Sequence, residues 1–155
     1  PAAPLDDAFA WSGGWPLWHG PAPAANLPAP DVTVVRDHIE NRQRKLTLRL
    51  ESQREAPTLG LWIDGDSATI RSATVAGRAV PTDRPLGKWS FGFRYFGAPA
   101  DGIEVQLELD QPTDDVVLRV ADSTDDLSAV PGFSPPPNGR VLVKPEVVVT
   151  RELTL

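Results

Sequence analysis

Cysteine is absent from this chain, which removes disulfides and thiolate metal sites from consideration. Methionine is absent too, and the chain opens at Pro1; an excised segment of a longer polypeptide is the expectation. No apolar run approaches the ~18 residues that a membrane-spanning helix needs, and no signal-peptide pattern is visible. Positive charge is in the minority, 15 Lys and Arg against 21 Asp and Glu for a net charge of −6, which argues against a nucleic-acid surface. The one basic run, Arg42 to Lys45, leads straight into alternating leucines and reads as a solvated hairpin end. No long segment repeats its apolar residues with a helical period, and no internal repeat of fixed length appears.

What is present points to strands. The 155 residues suffice for one domain with a real core, and 41% are apolar. Pro 17 and Gly 12 together favour turns. Arg supplies most of the basic residues beside abundant Ala and Pro, the compositional bias of a GC-rich bacterial gene.

Residues 1–30 differ from the remainder. They are dense in proline and hold Trp11, Trp15 and Trp18, three of the five Trp. Proline at this density forbids a continuous helix and removes ladder donors, so the segment reads as an extended arm or linker with polyproline character. Its tryptophans are too apolar for a free linker and are expected to pack on the domain body or on a partner. From Val32 onward the pattern changes to period two. Leu46, Leu48 and Leu50 share one face, as do Leu59, Leu61 and Ile63, and then Ile103, Val105, Leu107 and Leu109. Residues 115–120 and 146–153 read as two more strands. Residues 68–80 read as a strand and a tight hairpin about Ala76-Gly77. Trp89, Phe91, Phe93 and Tyr95 alternate along an aromatic strand, and Trp89 is expected in the core. About eight strands result, divided by turn signals such as Asp64-Gly65, Asp101-Gly102 and Asn138-Gly139. One apolar face per strand implies antiparallel sheets that must bury those faces against each other. The predicted fold is all-β: an antiparallel two-sheet β-sandwich over residues 31–155, preceded by the Pro/Trp-rich arm.

Candidate chemistry is sparse. Asp122, Asp125 and Asp126 cluster after a strand, with Ser123 and Thr124 beside them. An EF-hand loop would need Gly at its sixth position and Glu at its twelfth, and here those positions hold Leu127 and Phe133. The expected role of Asp122 and Ser123 is to cap a corner by bonding nearby backbone N–H groups. The two His, His19 and His38, stand apart from any second His at zinc-ligand spacing. No Gly-x-Ser-x-Gly elbow and no glycine-rich loop feeding a helix is present. Neither a catalytic or metal residue nor a cofactor is therefore assigned. The five Trp raise a carbohydrate-binding module as an alternative, with Trp62 pointing away from Leu61 and Ile63, toward solvent or the arm. The residues offered as an interaction surface are Trp11, Trp15, Trp18, Trp62, Asp122, Asp125 and Asp126.

The aromatic strand that runs into Tyr95, Gly97, Pro99 and Gly102, followed by a strand ending at Asp122-Ser123, then Leu127, Pro131 and the Pro135–Pro137 turn, resembles the C-terminal domain of bacterial membrane-anchored zinc aminopeptidases related to the endoplasmic-reticulum metallopeptidase. The resemblance covers about residues 28–155 and rests on structural motifs. Ser128-Ala129 stands where a Leu-Pro pair is typical, and Asp125 is an additional acid. The resemblance implies a non-catalytic accessory domain on the periplasmic or extracellular face of the membrane. Its partners would be the peptidase and transmembrane domains of the same polypeptide, and the arm could meet the membrane interface, where tryptophan is favoured. The zinc ligands of such a peptidase would lie upstream, and none is carried onto this chain.

Overall fold

The computed structural model describes residues 2–4, 11, 16–18, 20–21, 23–111, 115–142 and 144–155. Among them no helix occurs. The core unit is a β-sandwich of two antiparallel sheets. One has five strands in the order β3-β4-β9-β6-β7: β3 Asp31–Glu40, β4 Gln43–Glu51, β9 Ile103–Leu109, β6 Ile70–Val75 and β7 Arg78–Val80. The other has four in the order β11-β10-β5-β8: β11 Val147–Thr154, β10 Val117–Thr124, β5 Thr58–Asp64 and β8 Trp89–Phe96. The chain changes sheet at each connection after β3 except β3–β4, β6–β7 and β10–β11, so each sheet is assembled from segments separated by strands of the other.

The alternating leucines position the layers. Leu46, Leu48 and Leu50 of β4 pair in register with Leu107, Val105 and Ile103 of β9. From the opposite sheet Leu59, Leu61, Ile63, Leu118 and Val120 meet them in one continuous core. Thr47, Glu104 and Gln106 remain on the solvent side of the same strands, as period-two alternation requires. The turns follow turn chemistry. Asn41 and Arg42 (φ 51° and 64°) join β3 to β4, and Ala76 and Gly77 (φ 47° and 76°) join β6 to β7; paired positive φ angles match the right-handed twist of the flanking strands.

Within the arm, β1, Ala2–Pro4, and β2, Pro16–Trp18, pair with each other as a separate two-stranded sheet. Pro4 and Pro16 form the last pair of that ladder, where a missing donor disrupts least. Three expectations are corrected. The basic hairpin end is not fully solvated. Arg44 is buried, with Nε and Nη2 donating to Asp37 Oδ1 and Oδ2 at 3.0 and 2.7 Å, a two-pronged pair that lets a guanidinium leave water. Trp89 is buried but does not enter the main core. The β5–β8 register shifts between Ile63, opposite Phe91, and Asp64, opposite Trp89. Ser90 is the extra residue, and the bulge turns Trp89 to the outer face of the four-stranded sheet. Finally, the strand after Asp115 continues through Thr124, so the supposed corner at Asp122 is sheet.

Candidate functional site

The acidic segment divides in two. Along β10, Leu118 and Val120 face the core, and the same parity turns Asp122 inward at the end of the sandwich, opposite Leu59. Its carboxylate is fully buried. Ser52 Oγ donates to Asp122 Oδ2 and Arg54 Nη2 to Oδ1, each at 2.5 Å. Ser52 Oγ in turn accepts from the backbone N–H groups of Arg54 and Ala56, at 3.2 and 3.0 Å. Asp122 therefore pins the β4–β5 connection to β10 rather than capping its own turn. Asp125 and Asp126 are exposed. The capping role expected of Asp122 falls to Asp126, whose Oδ1 accepts from Ser128 N at 2.8 Å. Hydrogen bonding from Ser128, side chain first and backbone second, holds the Asp126 carboxyl below its ordinary value. With Asp122 inside and its two neighbours outside, the three carboxylates do not converge. Among the described residues no group of three or more His, Cys, Asp or Glu is placed to hold a metal ion.

A second cluster lies on the outer face of the four-stranded sheet. The register lays it out in rows. Glu152, Arg119, Trp62 and Gly92 stand side by side across β11, β10, β5 and β8, and the next row is Thr150, Ala121, Gly60 and Arg94. The Trp62 indole lies flat over Gly60 and Gly92: a Cβ built at either glycine would collide with the ring. Glycine inside a strand weakens it, and a close-packed neighbour is the usual reason it is there. Trp89 and Ala121 complete the buried cluster, with Val148 and Trp11 against it.

Trp11 of the arm covers Trp62 directly, with ring centroids 4.9 Å apart and planes tilted by 30°. The Arg94 guanidinium lies 4.7 Å from the centroid of the Trp11 ring and 5.2 Å from that of Phe96. It is itself held by Glu146 and by Ser123 Oγ at 3.2 Å. Arg119 sits 5.0 Å from the Trp89 ring and donates to Glu152 Oε2 at 2.9 Å. Trp11 thus rests against an indole and a guanidinium from the same sheet face, both attractive to an aromatic ring.

The sequence-predicted surface is consequently reordered. Trp62 and Asp122, each 1% exposed, are buried and present nothing to a partner while the cover stays in place. Of the arm tryptophans only Trp11 can be placed, and it packs on the domain. Trp15, the Trp18 side chain and His19 lie outside the described residues. His38 is on the exposed outer side of β3. Sequence reasoning missed Arg94, Arg119 and Arg54, the three guanidiniums that organise both sites. Gly60 and Gly92, interior to strands, were the readable sign that something packs flat at Trp62.

Compared with family models, with curated proteins and with solved structures, the chain finds no match.

Proposed function

We propose that this chain is a non-catalytic accessory domain of a membrane-anchored zinc-dependent peptidase. It stands on the periplasmic or extracellular side and orients, covers or gates the peptidase, or holds a partner for it. What supports the reading is that the residues carrying the family resemblance have structural tasks. Gly97 and Gly102 adopt φ of 73° and 79°, and a Cβ on Gly102 would run into the Leu50 carbonyl oxygen. Tyr95 packs against the main core. Asp122 is consumed in its buried pair with Arg54. A motif made of such residues marks a fold, and peptidase chemistry on the same polypeptide has to come from elsewhere in it.

The deciding experiment is to read the gene upstream of the codon for Pro1. The expected result is a zinc-ligand set followed by apolar spans of about 20 residues each. A frame with neither would sink the proposal. So would hydrolysis of peptides or esters by the purified chain itself, where none is expected. The carbohydrate-module alternative needs an open aromatic platform, and Trp62 and Trp89 are 1% and 2% exposed.

A further inference from the structure

We propose that the outer face of the four-stranded sheet is a docking site for a tryptophan-bearing, proline-rich peptide segment, and that this chain's own arm is its resident ligand. The site is built rather than incidental. Gly60 and Gly92 give up side chains in strand interiors so that Trp62 can lie flat as a floor. Arg94 supplies a cation against the face of the inserted ring and is held there by Ser123 and Glu146.

The occupant's attachment has the character of a ligand's. Among the described residues β1 and β2 pair only with each other and join neither sandwich sheet, so no ladder of described residues ties the arm to the domain. Between β2 and β3 the described residues through Ala29 are irregular and mostly exposed. Trp11, half-buried, is the described arm residue that enters the clamp. A site filled in this way by a tethered segment takes the same segment in trans once the tether's side chain is removed. The tether acts as a competitor at high effective concentration. This inference is independent of the parent peptidase and holds or fails by itself.

The test uses the full chain carrying Trp11→Ala and, as probe, a labelled synthetic peptide of residues 7–19. Saturable binding is expected by anisotropy or calorimetry, at an affinity about ten-fold or more above that of the unaltered chain, whose clamp is already filled. The same peptide with alanine at residue 11 should not bind, and adding Arg94→Ala to the variant should weaken the complex. A folded Trp11→Ala chain that takes up no peptide overturns the proposal, as does equal binding of the alanine peptide. Should Trp11→Ala fail to fold, Trp11→Phe in the otherwise natural chain weakens the resident ring while leaving Trp62, Trp89 and Arg94 of the site intact. More binding of the natural peptide than in the unaltered chain is then expected, and equality with it overturns the proposal.

Discussion

Asp122 shows how a residue's chemistry can be concealed by its sequence neighbours. Between Ala121 and Asp126 the chain reads as a polar turn, because short acidic and hydroxyl side chains favour turns. Its partners decide otherwise. Arg54 is 68 residues away and Ser52 is 70 away, so nothing local announces the pairing. The burial of a carboxylate is tolerable here because its two oxygens receive charge-assisted and hydroxyl donors. Removing one partner is the costly change. Asp122→Ala leaves Arg54, whose side chain is only 9% exposed, charged and unpaired inside the protein. A loss of ~3–5 kcal/mol is expected in a denaturant midpoint experiment. Replacing Asp122 and Arg54 together by apolar residues of similar volume should recover much of that loss. If Asp122→Ala costs less than about 1 kcal/mol, the pair is solvated and the burial argued above is wrong.

At the scale of elements, the strands that alternate cleanly were legible. β4 and β9 put every predicted leucine, isoleucine and valine inside, because one residue's parity fixes the rest of an unbroken strand. β8 was legible only from Phe91 onward. Ser90 inserts one residue, and everything before it changes face, so Trp89 lands beside Trp62 rather than beside Leu61. No composition signal marks that insertion; Ser90 is held by donating through Oγ to the Ala68 carbonyl at 2.6 Å, a contact made across the fold. The candidate site was half legible. Trp62 was correctly placed on the outer side of its strand, while its glycine seat and its cover depend on cross-strand register. Gly92→Ala tests that seat. The added methyl meets the root of the Trp62 side chain, which cannot swing away beneath Trp11 and beside Trp89. Destabilisation of ~1–3 kcal/mol is expected from overpacking, with red-shifted tryptophan emission as the indole lifts toward water. Unchanged emission and stability would mean that the ring does not lie on the glycine floor.

For the whole molecule, one seam is the side where the two sheets end at β3 and β11. β3 is an edge strand carrying exposed Val34, Val35 and Ile39, the kind of edge that invites another chain. Charge and irregularity guard it. The β3–β4 register breaks between Val34 and Arg36, Arg151 reaches from β11 to Asp31 at 3.2 Å, and Arg44 joins Asp37 while its Nη1 donates to the Leu155 carbonyl at 3.4 Å. The Arg44 hydrogen bond holds the Asp37 carboxyl below its ordinary value of 3.8. A carboxyl depressed in the folded state contributes stability that is present above its unfolded value and is lost as pH falls through the folded one. The Asp37–Arg44 term is therefore complete near neutrality and fades only below pH 3.8. Because Asp37 is 37% exposed, solvent screening limits the term to about 1 kcal/mol or less. Melting temperatures of the natural chain and of Asp37→Asn should accordingly differ most near neutrality and converge as acid takes the natural carboxyl through its depressed folded value and neutralises it too. A difference that persists unchanged into acid would show that Asn at this position disturbs packing rather than charge. The seam would then be closed by shape instead of by its ion pairs.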